Sequence, residues 1–224
     1  MNLYAFRPSY AINRIAQMRY QSANPSVPWL TADAVTALQD LLKPTDVGFE
    51  FGSGRSTVWF ARHIKFLHSM ESSADWYQKV TQWLAREGLA ERVNYQLALE
   101  PREDDLMPDD HPYVQGIAAM QEDSLDFAFI DGIMRLTSLR WAMKKLKPGG
   151  ILILDNANTY LSNRYEEGYT TVHCRSDKPR DSEWSKTWEE LSKWRGFNTT
   201  DRINDTRFWF VPIHKSSAEN IRHS

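Results

Sequence analysis

From Val47 to Thr57 the chain runs through a short apolar stretch with one acid, Glu50, into a turn with glycines at positions 52 and 54. Ser56 and Thr57 follow at once. This reads as a strand, a tight turn and the start of a helix. Glycines two apart let the backbone turn sharply and approach a ligand closely, because neither carries a Cβ. The helix that follows turns its unpaired N–H groups and positive dipole end towards the turn. A small ligand with a polar or anionic end is therefore expected above Gly52 and Gly54, with Ser53, Ser56 and Thr57 around it. A plain strand-helix connection would show the same Gly-x-Gly pair, so the next segments must decide.

A dinucleotide fingerprint would place a third glycine three residues after Gly54, and this chain has Thr57 there. A second apolar run follows at 66–70 and closes on Glu71, nineteen residues beyond Gly52. An acidic side chain at the tip of the second parallel strand can accept hydrogen bonds from both hydroxyls of a ribose. Two later runs have the same form. Residues 127–130 end in Asp131 and Gly132, and 151–154 end in Asp155 and Asn156 after Leu146-Lys147-Pro148-Gly149-Gly150.

In order and spacing, these four motifs over residues 45–157 resemble class I S-adenosylmethionine-dependent methyltransferases. The resemblance implies that Glu50, Gly52 and Gly54 shape the site for the methionine part of the cofactor, and that Glu71 holds the ribose. It also shows a departure. Many members carry an acid just after the third strand (here 93–99) to read the adenine amine, where this chain has Ala98 and Leu99, with Glu100 beyond.

In a parallel sheet Asp131, Asp155 and Asn156 would converge beside the cofactor's methyl group. Two carboxylates and an amide are hard oxygen donors, suited to Mg²⁺ or another divalent cation of that class. The trio resembles the metal site of catechol- and caffeoyl-coenzyme-A-type O-methyltransferases. There the ion binds two vicinal oxygens of the acceptor and lowers the pKa of the one to be methylated. Without metal, Asp131 would position the acceptor. The catechol-type enzymes hold a lysine base three residues past the first carboxylate. This chain has Met134 there and then Arg135, which carries only donors and makes a poor base. His173 is a further base candidate.

Strands alternating with helical stretches at 57–64, 73–87 and 136–146 imply a Rossmann-like, doubly wound α/β sheet, mostly parallel. A helix at 184–194 and runs at 197–203 and 207–211 around Asn204-Asp205-Thr206 imply an antiparallel hairpin at the C-terminal edge. Residues 1–30 read as a peripheral segment with a short helix at 11–20. Residues 31–213 read as one methyltransferase domain that opens with a helix at 31–42, and 214–224 as a polar tail. The stretch 157–183, with Tyr160, Arg164, Tyr165, Tyr169, His173 and Arg175, is long for a connector and reads as a substrate-covering segment. The acidic stretch at 100–122 reads as a solvated loop with a helix at 114–120.

At 224 residues and 42% hydrophobic content the chain can bury a sizeable core. A net charge of −2, with both signs mixed, gives no nucleic-acid footprint. No apolar run is long enough to cross a membrane, and the N-terminus lacks a signal-peptide core. With a single cysteine, Cys174, the expectation is a cytoplasmic enzyme acting on a small-molecule or sugar acceptor, its oligomeric state open. A non-catalytic S-adenosylmethionine binder is the alternative. A nicotinamide-dependent oxidoreductase is the weaker alternative, since the chain lacks the third glycine and also a Tyr-x-x-x-Lys pair, Tyr160 being followed by Arg164.

Overall fold

A computed structural model describes residues 8–99, 109–161 and 182–213. Arg164, Tyr165, Tyr169, His173 and Arg175 of the expected substrate-covering segment, with Cys174, Glu100 and the tail 214–224, lie outside the described residues.

The strands β1 (Val47–Phe51), β2 (Phe66–Glu71), β3 (Val93–Leu97), β4 (Leu125–Ile130), β5 (Leu146–Asp155), β6 (Arg195–Thr200) and β7 (Asp205–Phe210) form a seven-stranded sheet in the order β3-β2-β1-β4-β5-β7-β6. β1 to β5 pair in parallel, and β7 runs antiparallel to both β5 and β6. This is the expected doubly wound sheet with an antiparallel edge hairpin. The hairpin turn falls at 201–204, earlier than expected, because Asp201 Oδ1 accepts from the backbone N–H of both Ile203 (2.9 Å) and Asn204 (2.7 Å). β3 ends at Leu97 and not at residue 99, and Leu99 is exposed.

Period-two alternation sends neighbouring residues of each strand to opposite faces. On one face Phe49, Phe51, Ala128, Ile130, Leu152 and Leu154 pack beneath α5 (Pro112–Ala118) and α6 (Arg135–Lys145), as does α7 (Ser182–Leu191) through its buried Trp184. On the other, Leu67, Phe127, Phe129, Ile151 and Ile153 meet α2 (Ala32–Leu41), α3 (Arg55–His63) and α4 (Ala74–Arg86). Thr31 caps α2 by accepting from Ala34 N at 3.2 Å, and Ser73 caps α4. The first helix, α1 (Pro8–Ala23), buries only Gln17, which donates to Asp201 at the β6–β7 turn at 2.7 Å.

Glu50 alternates with Phe49 and Phe51 and so lies on the α3 face, directly opposite Ser69 of β2. This pairing places a carboxyl inside an apolar layer at the carboxyl ends of the strands, where open α/β sheets bind their ligands.

Candidate active site

The tips of β1, β2 and β4 are laced together by backbone. Gly52 N donates to Met70 O and Asp131 N to Phe51 O, each at 2.9 Å. Gly52 has φ +84°, and a Cβ on it would lie 2.5 Å from Gly132 N. Glycine is required there by both conformation and space. Gly132 is tied in the same way, since its Cβ would fall 2.0 Å from the Tyr113 hydroxyl. Gly54 differs. Its backbone is extended, and the nearest atom to a Cβ is Trp76 Nε1 at 3.7 Å. No protein atom demands glycine there, so the space above it is open to a ligand.

Glu71 is 5% exposed and accepts four hydrogen bonds. Ser53 N (2.9 Å) and Ser53 Oγ (2.5 Å) donate to Oε2, while Ser72 N and Ser73 N (both 2.8 Å) donate to Oε1. Four donors fill the carboxylate's acceptor sites. Ribose hydroxyls can therefore reach Glu71 only by displacing the Ser53 hydroxyl, which has a second partner in Tyr95 OH at 2.6 Å. Burial pushes the Tyr95 phenol above its ordinary range, so it stays a donor. Trp76 completes the turn by donating its indole N–H to Ser53 O.

Glu50 is fully buried. Its Oε2 accepts from Thr57 Oγ1 (2.6 Å) and Ser69 Oγ (2.7 Å), and Thr57 Oγ1 in turn accepts from Gly54 N at 2.9 Å. Its Oε1 has no hydrogen-bond partner among the described residues. Burial lifts this carboxyl to about 7, against the opposing pull of Ser56, Thr57 and Ser69. A buried acceptor oxygen left over beside an open glycine turn fits a ligand that brings a cationic donor, as the ammonium of S-adenosylmethionine would.

The ends of β4 and β5 bring Asp131, Asp155 and Asn156 together, as the sequence implies, around Arg135. Arg135 Nη2 donates to Asp131 Oδ1 (3.1 Å), Asp131 O (2.6 Å) and Asn156 Oδ1 (3.3 Å). Nη1 donates to Asp155 O (2.5 Å) and Asn156 Oδ1 (3.3 Å), and Nε to Gly132 O (2.8 Å). Met134 and Asn156, which begin the two turns, both hold left-handed backbone, at φ 51° and 50°. Asp155 is 4% exposed and accepts from Thr206 Oγ1 at 2.7 Å, its partner across β5–β7. Burial, then the neighbouring Asp131, push its carboxyl up to about 8. Asp131 keeps a side chain 36% exposed. Burial of the pair raises its carboxyl too, and Arg135 opposes that rise.

The divalent ion implied by the sequence does not fit this arrangement. An octahedral Mg²⁺ needs its oxygens at about 2.0–2.1 Å, and the space between Asp131 Oδ1 and Asn156 Oδ1 holds Arg135 Nη2. Sequence reasoning weighs Arg135 only as a base and misses its place at the centre of the cluster. The adjacent Met134 is buried and supplies no proton acceptor. Tyr95, Trp76 and Thr206 are also missed, since only strand pairing and helix packing bring them in.

The sequence over residues 49–157 matches the family described as a methyltransferase domain. No curated protein matches the chain. Among solved structures, an O-methyltransferase from Bacillus cereus in complex with SAH superposes with a TM-score of 0.56 at 18% identity, over 93% of this chain and 96% of that one. A putative caffeoyl-CoA O-methyltransferase from Staphylococcus aureus gives 0.57 at 16% identity, over 88% and 90%. A methyltransferase from Geobacter sulfurreducens gives 0.52 at 18%, over 95% and 94%. At such identities the likeness is one of fold. The glycine turn, the acidic strand ends, the strand order and the family match together identify residues 49–157 as a class I S-adenosylmethionine-dependent methyltransferase domain.

Proposed function

We propose that this enzyme methylates an oxygen of a small-molecule acceptor, with Asp131 as the residue that receives the acceptor hydroxyl. The cofactor lies against Glu50, Gly52, Ser53, Gly54, Ser56, Thr57 and Glu71, with Asp131 at the methyl end. The observation that carries this reading is the position of Asp131. It ends β4 against the glycine turn of β1, exposes a third of its side chain, and is held by Arg135 from behind. When bound, S-adenosylmethionine supplies a methyl group already activated on a sulfonium.

The chain's own part is chiefly positioning. Glu50 Oε1 holds the cationic amino group, and its two hydroxyl partners keep the carboxyl in place. The Ser53 hydroxyl swings towards Tyr95 to admit the ribose to Glu71. Asp131 orients the acceptor O–H and takes its proton as the oxygen is methylated, within hydrogen-bond reach of a single hydroxyl. Residues 31–213 form the catalytic unit, working in the cytoplasm, and 157–183 covers the acceptor.

Calorimetry with S-adenosylhomocysteine, followed by mass spectrometry of products from a panel of phenols, sugars, carboxylates and amines, tests this function. The expected result is cofactor binding, with a mass gain of one methyl on a hydroxyl compound and loss of turnover in Asp131→Asn with binding kept. Turnover confined to amines would overturn the oxygen assignment.

A further inference from the structure

We propose that the guanidinium of Arg135 is the resident cation of the acceptor site. It takes the place that a divalent ion holds in catechol-type enzymes, so the acceptor is bound through one hydroxyl and is not chelated through two. The inference rests on the methyltransferase reading for its meaning, but its geometry stands alone. Arg135 reaches Asp131 Oδ1 and Asn156 Oδ1, two of the three side-chain oxygens that would coordinate an ion, through the same nitrogen. The third residue, Asp155, is engaged through its backbone carbonyl by Nη1, while its carboxyl accepts from Thr206.

Three further observations separate a resident cation from a chance ion pair. Each of the guanidinium's three nitrogens has an acceptor, and Arg135 is 9% exposed. All five of its N–H groups can be satisfied by protein. It therefore has none left over to grip an acceptor, as a metal with open positions would. Three of those acceptors are the carbonyls of Asp131, Gly132 and Asp155, so the side chain ties both strand-end turns together next to the left-handed Met134 and Asn156. Finally, the Tyr160 ring lies 5.4 Å from the guanidinium carbon, and Tyr160 stacks on the buried Trp184 at 4.8 Å. An entering ion would have to drive the arginine into this aromatic layer.

Arg135 is thus a positioning residue, acting on the acceptor through Asp131. The consequence for substrate class is that a vicinal diol gains nothing over an isolated hydroxyl.

The test is Mn²⁺ uptake, read from the electron paramagnetic resonance of the free ion, on the full chain after chelator treatment. The wild-type protein is expected to leave the free-ion signal unchanged. Arg135→Ala opens the oxygen cage. It should take up Mn²⁺ and rise in thermal midpoint when the ion is added, both effects vanishing in Arg135→Ala with Asp131→Asn. Arg135→Lys keeps the charge near the cage and should bind none. Wild-type uptake that Asp131→Asn abolishes would overturn the proposal, as would a folded Arg135→Ala that ignores Mn²⁺. Should Arg135→Ala not fold, the wild-type and Asp131→Asn pair decides alone. Calorimetry with S-adenosylhomocysteine on the same wild-type sample keeps the two readings apart. Absent cofactor binding would sink the methyltransferase function and leave the Mn²⁺ result standing.

Discussion

Two carboxylate sites stand side by side at the carboxyl ends of the sheet, and they are satisfied in opposite ways. At the ends of β1 and β2, Glu71 is met by neutral donors, three backbone N–H groups and one serine hydroxyl. At the ends of β4 and β5, the Asp131 carboxylate is met by a buried guanidinium, which also takes the backbone carbonyl of Asp155, while the Asp155 carboxyl accepts from Thr206. A hydroxyl on a single rotatable bond can be displaced by an incoming ligand hydroxyl at little cost, since one hydroxyl donor to the carboxylate replaces another. A guanidinium held by two side-chain oxygens and three backbone carbonyls cannot leave without stranding those acceptors in an unpaired interior. The first site is held by a donor that can exchange, and the second by a cation that cannot.

Removing the fixed cation is the most severe way to probe that contrast. Arg135→Ala should destabilise the fold by about 1–3 kcal/mol, the cost of leaving buried carbonyl acceptors unpaired, as read by denaturant unfolding in metal-free buffer. A loss under about 1 kcal/mol would show that the second site is as exchangeable as the first.

Protonation sharpens the comparison next. Glu50 sits at about 7 in the fold against 4.5 for an ordinary glutamate, and Asp155 at about 8. Above the ordinary carboxylate range the unfolded chain has lost these protons and the folded chain retains them. The cofactor-free protein should therefore lose stability as pH rises, by about 3 kcal/mol from Glu50 alone once pH passes its folded value. Asp155 extends the decline to about pH 8. Unfolding free energies measured across this range should fall, and Glu50→Gln should flatten the part below about pH 7. A flat profile in the wild type would mean that neither group is held protonated.

On the exchangeable side, Glu71→Ala should weaken S-adenosylhomocysteine binding by about 1.5–3 kcal/mol, the worth of hydrogen bonds to a charged acceptor. Calorimetry showing unchanged affinity, with the fold intact, would remove the ribose from Glu71. The smallest effect is expected at Gly54. Among the described residues the nearest atom to its Cβ position lies at an ordinary contact distance of 3.7 Å, so Gly54→Ala should shift stability by no more than about 0.5 kcal/mol. Gly54→Val should nevertheless lower cofactor affinity, because the branched side chain enters the ligand's space. Equal affinities for Gly54→Val and wild type would place the ligand elsewhere.

The first site is largely legible in the amino-acid sequence. Gly52, Gly54 and Glu71 declare themselves because strand, turn and helix are local, and a two-residue glycine spacing or an acid closing an apolar run survives as pattern. The elements too lie where periodicity places them, with ends shifted by a few residues, as at α3, which starts at Arg55 and not at 57, and at the hairpin turn set by Asp201. What the pattern does not carry is occupancy. An acid at a strand tip reads as free to meet a ribose, and nothing in the spacing of Glu71 announces that Ser53 already fills one of its acceptor sites.

The second site divides the same way. The sequence by itself determined that two carboxylates and an amide would end neighbouring strands, because apolar runs of matched length, each closed by a polar residue, stack in register in a parallel sheet. The family and its cofactor entered through the resemblance that the four motifs carry, which local pattern preserves. Tertiary structure alone decided what lies between those residues. Arg135 follows Asp131 by one helical turn, yet whether its side chain points to solvent or into the cluster depends on the left-handed Met134 that begins α6, on the Asp155 carbonyl from another strand, and on the Tyr160 ring above. Those contacts span sequence separations that no local pattern encodes. Electrostatics inside a protein is settled by such distances, because a charge a few ångströms away in a dry interior outweighs any nearer in the chain but turned to water.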